Sequence, residues 1–310
     1  MASIGFIIPT LNRPDALKNL LASFELQINK PDEIIIVEQG DDRSADLLAR
    51  YNHLPIKYFK VNFKSLTAAR NYGVAQSTTS LVGFLDDDIV LASDYVGKTL
   101  DFFDNNPEAL GVQGVITDFE IGHAAKVGGN KFIYQLYNLF AKFFLLNNSS
   151  STNRLLLSGR NQYASRPIGT QNCQWLSGIG IYRRAVFADF KFDEKLSGYA
   201  LGEDKLFSYP IYQKFSKSLF VDPKICCEHH HTLGGRPQNR AGVDMKIAYT
   251  YYLWNKLLRK RTGAIFAYWW ANFGDLLVVF FSVILVKNSF KFWWWHLVNY
   301  WKILWHQRII

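Results

Sequence analysis

Leu81-Val82-Gly83-Phe84-Leu85-Asp86-Asp87-Asp88 is the stretch on which the fold turns. An apolar run without alternation suits a strand buried on both faces, and it ends on three adjacent carboxylates. Similar runs lie at 4–8, 33–37 and 56–61. Between them, helical spacing appears at 13–27, 46–51, 66–76 and 95–105. In 13–27, Leu17, Leu20, Leu21 and Phe24 form one stripe, with Asn12 as the expected N-cap and Pro14 in the first turn. Pro107 stops the helix at 95–105. Buried strands alternating with helices predict an α/β fold with a mostly parallel central sheet. Ligands of such sheets sit outside the carboxyl ends of the strands. Chemistry is therefore expected where the second strand runs into Glu38 and the fourth into Asp86-Asp87-Asp88.

The 310 residues are 49% hydrophobic and 20% charged, which excludes disorder over most of the length. Three cysteines, Cys173, Cys226 and Cys227, form no C-x-x-C pair; this excludes a disulfide scaffold and suits a reducing compartment. The opening residues lack a basic start, and their apolar run is too short for a secretory signal, so they are expected to form the first strand. Charge is uneven. Residues 255–310 carry eight basic side chains against one acid, Asp275, a net +7 of the total +9. Eight of the nine tryptophans also lie from Trp254 onward. A nearly neutral body is followed by a basic, aromatic tail.

Three adjacent carboxylates repel one another unless a cation or strong donors neutralise them. Hard oxygen ligands favour Mg²⁺ or Mn²⁺, commonly shared with phosphates. In extended backbone Asp86 and Asp88 face the same side, so one can hold a metal while the other reaches a sugar hydroxyl. With these residues in view, the first 230 or so positions resemble family 2 glycosyltransferases of the GT-A fold. Ile7-Ile8-Pro9-Thr10-Leu11-Asn12-Arg13 resembles that family's first strand and nucleotide loop. Ala69-Arg70-Asn71-Tyr72-Gly73 resembles its A-R-N-x-G helix start, and Phe84-Leu85-Asp86-Asp87-Asp88 its D-x-D. Trp175-Leu176-Ser177-Gly178 resembles the strand lining the acceptor side. Phe192-Asp193-Glu194 and Gly202-Glu203-Asp204 resemble the F-D-E…G-E-D segment that carries the catalytic base.

The resemblance implies transfer of a sugar from a nucleoside diphosphate to an acceptor hydroxyl, with inversion. Asp204 is then the expected base, with Glu203 as the alternative or simply a helix start. Asp88 and Asp86 would hold Mn²⁺ or Mg²⁺ on the diphosphate. Pro9, Thr10, Arg13, Arg70, Asp86 and Asp87 would surround the nucleotide sugar, and Trp175 and Gly178 the acceptor. Many members end strand two with Asp-Asp-Gly-Ser or Asp-Asn-Gly-Ser, whose first acid pairs with the nucleobase. Here Glu38-Gln39-Gly40-Asp41-Asp42 stands instead, so Glu38, Asp41 or Asp42 would take that part. In Glu228-His229-His230-His231 family habit selects His229 as a further metal residue; zinc on Cys226, Cys227 and the histidines is the rival, but tetrahedral sites use separated pairs.

Residues 131–146 are apolar and aromatic, short for a span, and 147–152 read as a mobile loop. The insert would lie near the acceptor, as a helix packed on the sheet or one touching a membrane. Residues 264–286 are long enough to span, yet contain Asn272, Asp275 and Ser282 within an arc of about 80°. A central Asp costs roughly 2.5–3.5 kcal/mol on insertion scales. That polar face suits a helix in the interface or one packed on partner helices. With the Trp, Tyr and Lys of 290–305, the tail is expected to attach peripherally or monotopically to the cytoplasmic face of the cell membrane, a single span being the alternative. An oligomer interface would also explain it. The long apolar run excludes a nucleic-acid groove.

The expected layout is a GT-A catalytic domain at 1–240, with a nucleotide-sugar half at 1–118 and an acceptor half at 119–240, followed by attachment helices at 241–310. The expected activity is metal-dependent glycosyl transfer from a nucleoside-diphosphate sugar to a lipid-linked or polysaccharide acceptor. A catalytically silent sugar-nucleotide-binding subunit is the alternative, and a nucleotidyltransferase on a related fold the third possibility.

Overall fold

The computed structural model describes residues 2–41, 44–117, 131–164, 167–230, 239–285 and 290–305; Asp42 and His231 lie outside them. The first elements are β1 (Ile4–Thr10), α1 (Pro14–Glu25), β2 (Glu33–Glu38), α2 (Ala45–Ala49), β3 (Ile56–Lys60) and α3 (Leu66–Gln76). There follow β4 (Leu81–Phe84), β5 (Ile89–Leu91), α4 (Tyr95–Asn105) and β6 (Gly111–Ile116). Next come α5 (Lys131–Phe143), β7 (Asn148–Ser150), β8 (Arg154–Leu155), β9 (Asn161–Ala164), β10 (Gln171–Asn172) and β11 (Ile181–Arg183). The chain ends with α6 (Glu203–Lys214), β12 (Leu219–His229), α7 (Asn239–Leu257), α8 (Ala264–Leu285) and α9 (Phe290–Leu304).

The main sheet runs β10-β12-β6-β11-β4-β1-β2-β3, with β5 added on β12. Strands β3, β2, β1 and β4 are parallel, as expected; β6 and β12 are also parallel, while β11 is antiparallel to β4 and β6. Alternate side chains of β2 feed opposite layers. Ile34 and Ile36 join Phe6, Leu17 and Phe24 on one face, and Ile35 and Val37 join Ile7, Ala69 and Phe207 on the other. Glu33 opens β2 buried, accepting from Lys57 Nζ (2.7 Å), Ser77 Oγ (2.9 Å) and the Thr78 amide (3.1 Å). These donors outweigh its burial and hold its pKa at about 2.

Two local expectations change. Residues Asn148–Ser150 form a strand rather than a loose loop, because the Asn148 amide is tied at both ends: Nδ2 donates to Leu146 O and Oδ1 accepts from Gln162 Nε2. Trp175-Leu176-Ser177-Gly178 is a loop and turn leading into β11, not a strand.

The chain forms two compact units. One comprises Met1–His123, Ser151–Asn153 and Ala164–Gly235; the other Ala124–Ser150, Arg154–Tyr163 and Arg236–Ile310. Most of the insert expected in the acceptor half thus clusters with the tail. Inside the second unit, Gly274 lets α8 approach α5 closely, since a Cβ there would lie 2.4 Å from Phe144 Cβ. Helix α9 packs on α7 and α8. The polar face of α8 meets partners within this unit: Arg160 donates to Asn272 Oδ1 (2.8 Å), and Tyr300 Oη donates to Asp275 Oδ2 (2.7 Å), while Asn272 Nδ2 is buried with no hydrogen-bond acceptor. Lys246 Nζ stands 3.7 Å from Asp275 and Arg160 3.6 Å. Burial opposes the Asp275 charge, but Lys246, Arg160 and Tyr300 outweigh it and hold its pKa at about 2.

Candidate active site

The loop after β1 faces the loop after β2. Asn12 adopts a left-handed conformation (φ 56°), and Arg13, not Asn12, stands at the N-cap of α1. Asn12 is instead used across the gap, its Oδ1 accepting the Asp41 amide at 2.8 Å. Gly40 is required there: a Cβ would fall 2.1 Å from Asn12 Oδ1. Glu38 is fully buried. It accepts the Asn12 and Gly40 amides through Oε1 and Ser44 Oγ through Oε2. Its oxygens therefore brace the two loops. Pro9 lies beside Val37 at the carboxyl end of β1. Thr10 Oγ1 donates to Asp87 Oδ2 (2.7 Å), and Arg13 lies 3.1 Å from Asp87 Oδ1. Asp87 thus ties β1 to the end of β4 from a buried position. Burial raises its pKa to about 7, against the pull of Arg13 and Thr10 and with the push of Asp88 and Asp86.

Asp86 and Asp88 meet His229, with ligand atoms within 4.8 Å of one another. The sheet explains the encounter: β5 follows the three aspartates and pairs antiparallel with β12, setting His229 opposite Ile89. The His230 amide then donates to Asp88 O at 2.9 Å, and His229 Nε2 stands 3.0 Å from Asp88 Oδ1. His230 itself turns to Glu228 Oε2 at 2.8 Å. Two carboxylates and an imidazole suit a hard to borderline divalent ion, and the imidazole favours Mn²⁺ over Mg²⁺. The zinc alternative finds no support here, since Cys226 Sγ points at Pro223 O and Cys227 Sγ at Val115 O.

Arg70 joins this group to the Glu203-Asp204 pair. It begins deep in α3, whose N-cap Ser65 accepts the Ala68 amide. Its guanidinium donates to Glu203 Oε1 (2.7 Å), Asp86 Oδ1 (3.2 Å) and Gly178 O (3.2 Å). Phe84 and Phe192 rings lie 5.5 and 5.4 Å from it. Arg70 is thus buried. Burial works against its charge, but Glu203 and Asp86 outweigh it and hold its pKa above the ordinary value. Burial pushes the Glu203 carboxyl up against the pull of Arg70, and Asp204 and Asp86 push the same way.

Glu203 and Asp204 open α6 after Gly202, which takes a positive φ (93°) that favours glycine. Asp204 is the more open of the two, with 17% of its side chain exposed against 7% for Glu203. Its Oδ1 accepts the Lys205 amide at 2.8 Å and lies 2.9 Å from Lys205 Nζ. Lys205, which sequence reasoning missed, also covers the Trp175 ring at 5.1 Å. Trp175 is buried. At Gly178 a Cβ would lie 3.0 Å from Arg70 Nη2, so any side chain there would press on the guanidinium. Asn71 lies in the A-R-N-x-G motif of α3. Its amide accepts the Phe192 N–H and donates to Phe192 O and Glu194, which fixes the Phe192 ring beside Arg70.

A family model described as "Glycosyl transferase family 2" matches residues 6–162, about half of the chain. The chain belongs to glycosyl transferase family 2. An uncharacterised glycosyltransferase of Bacillus subtilis, YwdF, is 32% identical over 114 residues, 34% of this chain and 42% of its own length. An uncharacterised glycosyltransferase of Rickettsia conorii is 31% identical over 105 residues, 33% of this chain and 17% of that protein. The chain thus spans less than half the length of these curated relatives. Among solved structures, S. aureus TarS 1–349 in complex with UDP-GlcNAc aligns with a TM-score of 0.55 at 14% identity, covering 93% of this chain and 77% of that one. The complex with UDP gives 0.54 at the same identity. At that identity the likeness speaks for the fold, the same GT-A arrangement expected from the sequence.

Proposed function

We propose that this family 2 glycosyltransferase moves a sugar from a nucleoside-diphosphate donor to a hydroxyl of a lipid-linked or polysaccharide acceptor, with inversion, in cell-surface glycan synthesis at the cytoplasmic face of the membrane. The supporting observation is the Arg70 bridge: it ties Asp86, one of three clustered side chains that could hold a metal ion, to Glu203, the neighbour of the proposed base. Donor-side and acceptor-side groups then belong to one ionic network. Because S. aureus TarS was crystallised with UDP-GlcNAc, a uridine diphosphate sugar is the first donor to try.

Asp86, Asp88 and His229 would hold Mn²⁺ or Mg²⁺. Such an ion, when bound, offsets the charge that grows on the leaving diphosphate. Asp204 takes the acceptor proton as the sugar transfers, its orientation set by Lys205 and by the start of α6. Glu203 is too enclosed for that role and holds Arg70 instead. Glu38, Gly40 and Asn12 shape the nucleotide loop; Thr10, Arg13 and Asp87 lock it to the end of β4. Apolar α8, with a mean hydropathy of 1.5 over Ala264–Val283, would bring this site to a membrane-borne acceptor.

The test is a thermal-shift panel of nucleoside diphosphates and their sugars with and without Mn²⁺, followed by donor hydrolysis by wild type and Asp204→Asn. Asp204→Asn should keep donor binding and lose turnover at least about a hundredfold. Equal turnover would remove Asp204 as base. Binding without turnover by wild type, whatever the donor and acceptor, would identify a silent binding subunit, and pyrophosphate release a nucleotidyltransferase.

A further inference from the structure

We infer that the second compact unit docks on an anionic phospholipid bilayer through one aromatic face, with α8 lying in the plane of the interface rather than crossing it. This rests on the membrane reading above and names the surface and the lipid that carry it.

The inference starts from the two sides of α8. Asn272 is buried against Arg160, and Asp275, with 14% of its side chain exposed, faces Arg160, Lys246 and Tyr300. The opposite side carries Phe266, Phe273 and Phe280, seven residues apart and all exposed. That spacing is two helical turns, so the three rings lie in one row along the helix. Helix α9 repeats the pattern: Phe290, Trp294, Trp301 and Trp305 share a face, and each is more than half exposed. Helix α5 adds Leu136, Leu139 and Phe143 at helical spacing, also exposed. Ring contacts join these rows: Phe143 meets Trp270, which meets Phe266 and Phe273, and Phe280 meets Trp293. An apolar face on this scale marks an interaction surface.

Charge selects the occupant. Lys256 at the end of α7 and Arg259, Lys260 and Arg261 in the turn that leads into Ile265 and Phe266 are exposed, and Lys291 is exposed beside Phe290. A second copy would bring the same cations to its own like patch in a two-fold interface. Anionic headgroups attract them, and exposed Trp rings sit well at headgroup level. The buried Asp275 network explains the in-plane course. A spanning α8 would carry Asp275, and with it Arg160 and Lys246, into the hydrocarbon centre. Lying in the plane, it keeps that network on the protein side.

Full-length protein is floated with vesicles of phosphatidylcholine alone or with 30% phosphatidylglycerol. Binding should be at least about tenfold tighter to the anionic vesicles and should fall with added salt. Arg259→Glu/Lys260→Glu/Arg261→Glu should lose the lipid preference, and Phe266→Ser/Phe273→Ser/Phe280→Ser should lose binding while circular dichroism and thermal melting stay native. Depth is then read with an environment-sensitive dye on single cysteines at 266, 273 and 280, in a Cys226→Ser background. An in-plane helix gives three equal, shallow depths. A spanning helix places 273 about 10 Å deeper than the other two, and that result overturns the inference. So does failure to bind anionic vesicles, or a concentration-dependent dimer abolished by the aromatic variant. Neither outcome touches sugar transfer, which is read separately by donor hydrolysis in the absence of lipid.

Discussion

Replacing Arg70 tests where the site keeps its energy. Arg70→Met retains the apolar stem between Phe84 and Phe192 but removes the guanidinium. Of its two acidic partners, Glu203 has a side chain only 7% exposed, Asp86 one that is 39% exposed. Removing one partner of a buried pair costs about 3–5 kcal/mol, because the other charge stays desolvated and unpaired. An exposed pair contributes about 0–1 kcal/mol. Arg70→Met should therefore cost about 3–5 kcal/mol, nearly all of it through Glu203. Adding Glu203→Gln removes the stranded carboxyl, which without Arg70 must stay desolvated or take up a proton, so the double variant should regain much of the loss. The coupling in a double-mutant cycle should be about 2 kcal/mol or more. Asp86→Asn should cost no more than about 1 kcal/mol. Guanidinium unfolding of wild type, both single variants, the double variant and Asp86→Asn gives all these numbers. Coupling below about 0.5 kcal/mol, or a loss for Asp86→Asn equal to that for Arg70→Met, would refute the view that the Arg70–Glu203 contact holds the two motifs together.

Three further outcomes are expected. Isothermal titration with Mn²⁺ should show tenfold or greater weakening in His229→Ala and in Asp88→Asn, whereas His230→Ala should titrate like wild type, since its ring faces Glu228. Glu33 has a native pKa of about 2 against 4.5 when unfolded, so its contribution is complete above pH 4.5 and disappears as pH falls towards 2. Glu33→Gln should therefore be less stable than wild type by up to about 3 kcal/mol at pH 7, and the gap should close near pH 2–3 in urea melts. Gly73→Ala should lose about 1–3 kcal/mol by the same melts, because the new Cβ would lie 2.4 Å from Ile7 Cγ2 where α3 crosses β1.

The parallel half of the fold was legible because its signals are local. An unbroken apolar run such as Ile34–Val37 forces a strand with both faces covered, and its neighbours in the chain supply the covering helices. The candidate metal group was legible in part for the same reason: Asp86 and Asp88 are two residues apart at a strand end. His229 needed the resemblance, since only the pairing of β12 with β5 brings it there. Asn12, Glu38 and Arg70 were harder. Residue type and spacing describe what a side chain can do, whereas their partners are set by loop conformation. Asn12 looks like a helix cap, yet its left-handed backbone turns its amide towards Asp41. Glu38 looks like a ligand residue, and only the fold shows that two amides and a hydroxyl donate to its oxygens.

The tail shows the same division in its sharpest form. Helical periodicity placed Asn272 and Asp275 on one face of α8, which is a statement about one helix alone. What that face meets is decided by Arg160, more than a hundred residues earlier, and by Lys246 and Tyr300 on the flanking helices. No window along the chain joins these residues, so hydropathy alone reads α8 as a span. Once Arg160 is seen on Asn272, the costly polar groups become the reason the helix is held by its own unit. The exposed Phe266, Phe273 and Phe280 row is then its outward surface. A helix with Asn272 and Asp275 held by its own unit on one side and bare rings on the other has the division of an interfacial segment, which is why depth along that row separates lying in the bilayer surface from crossing it.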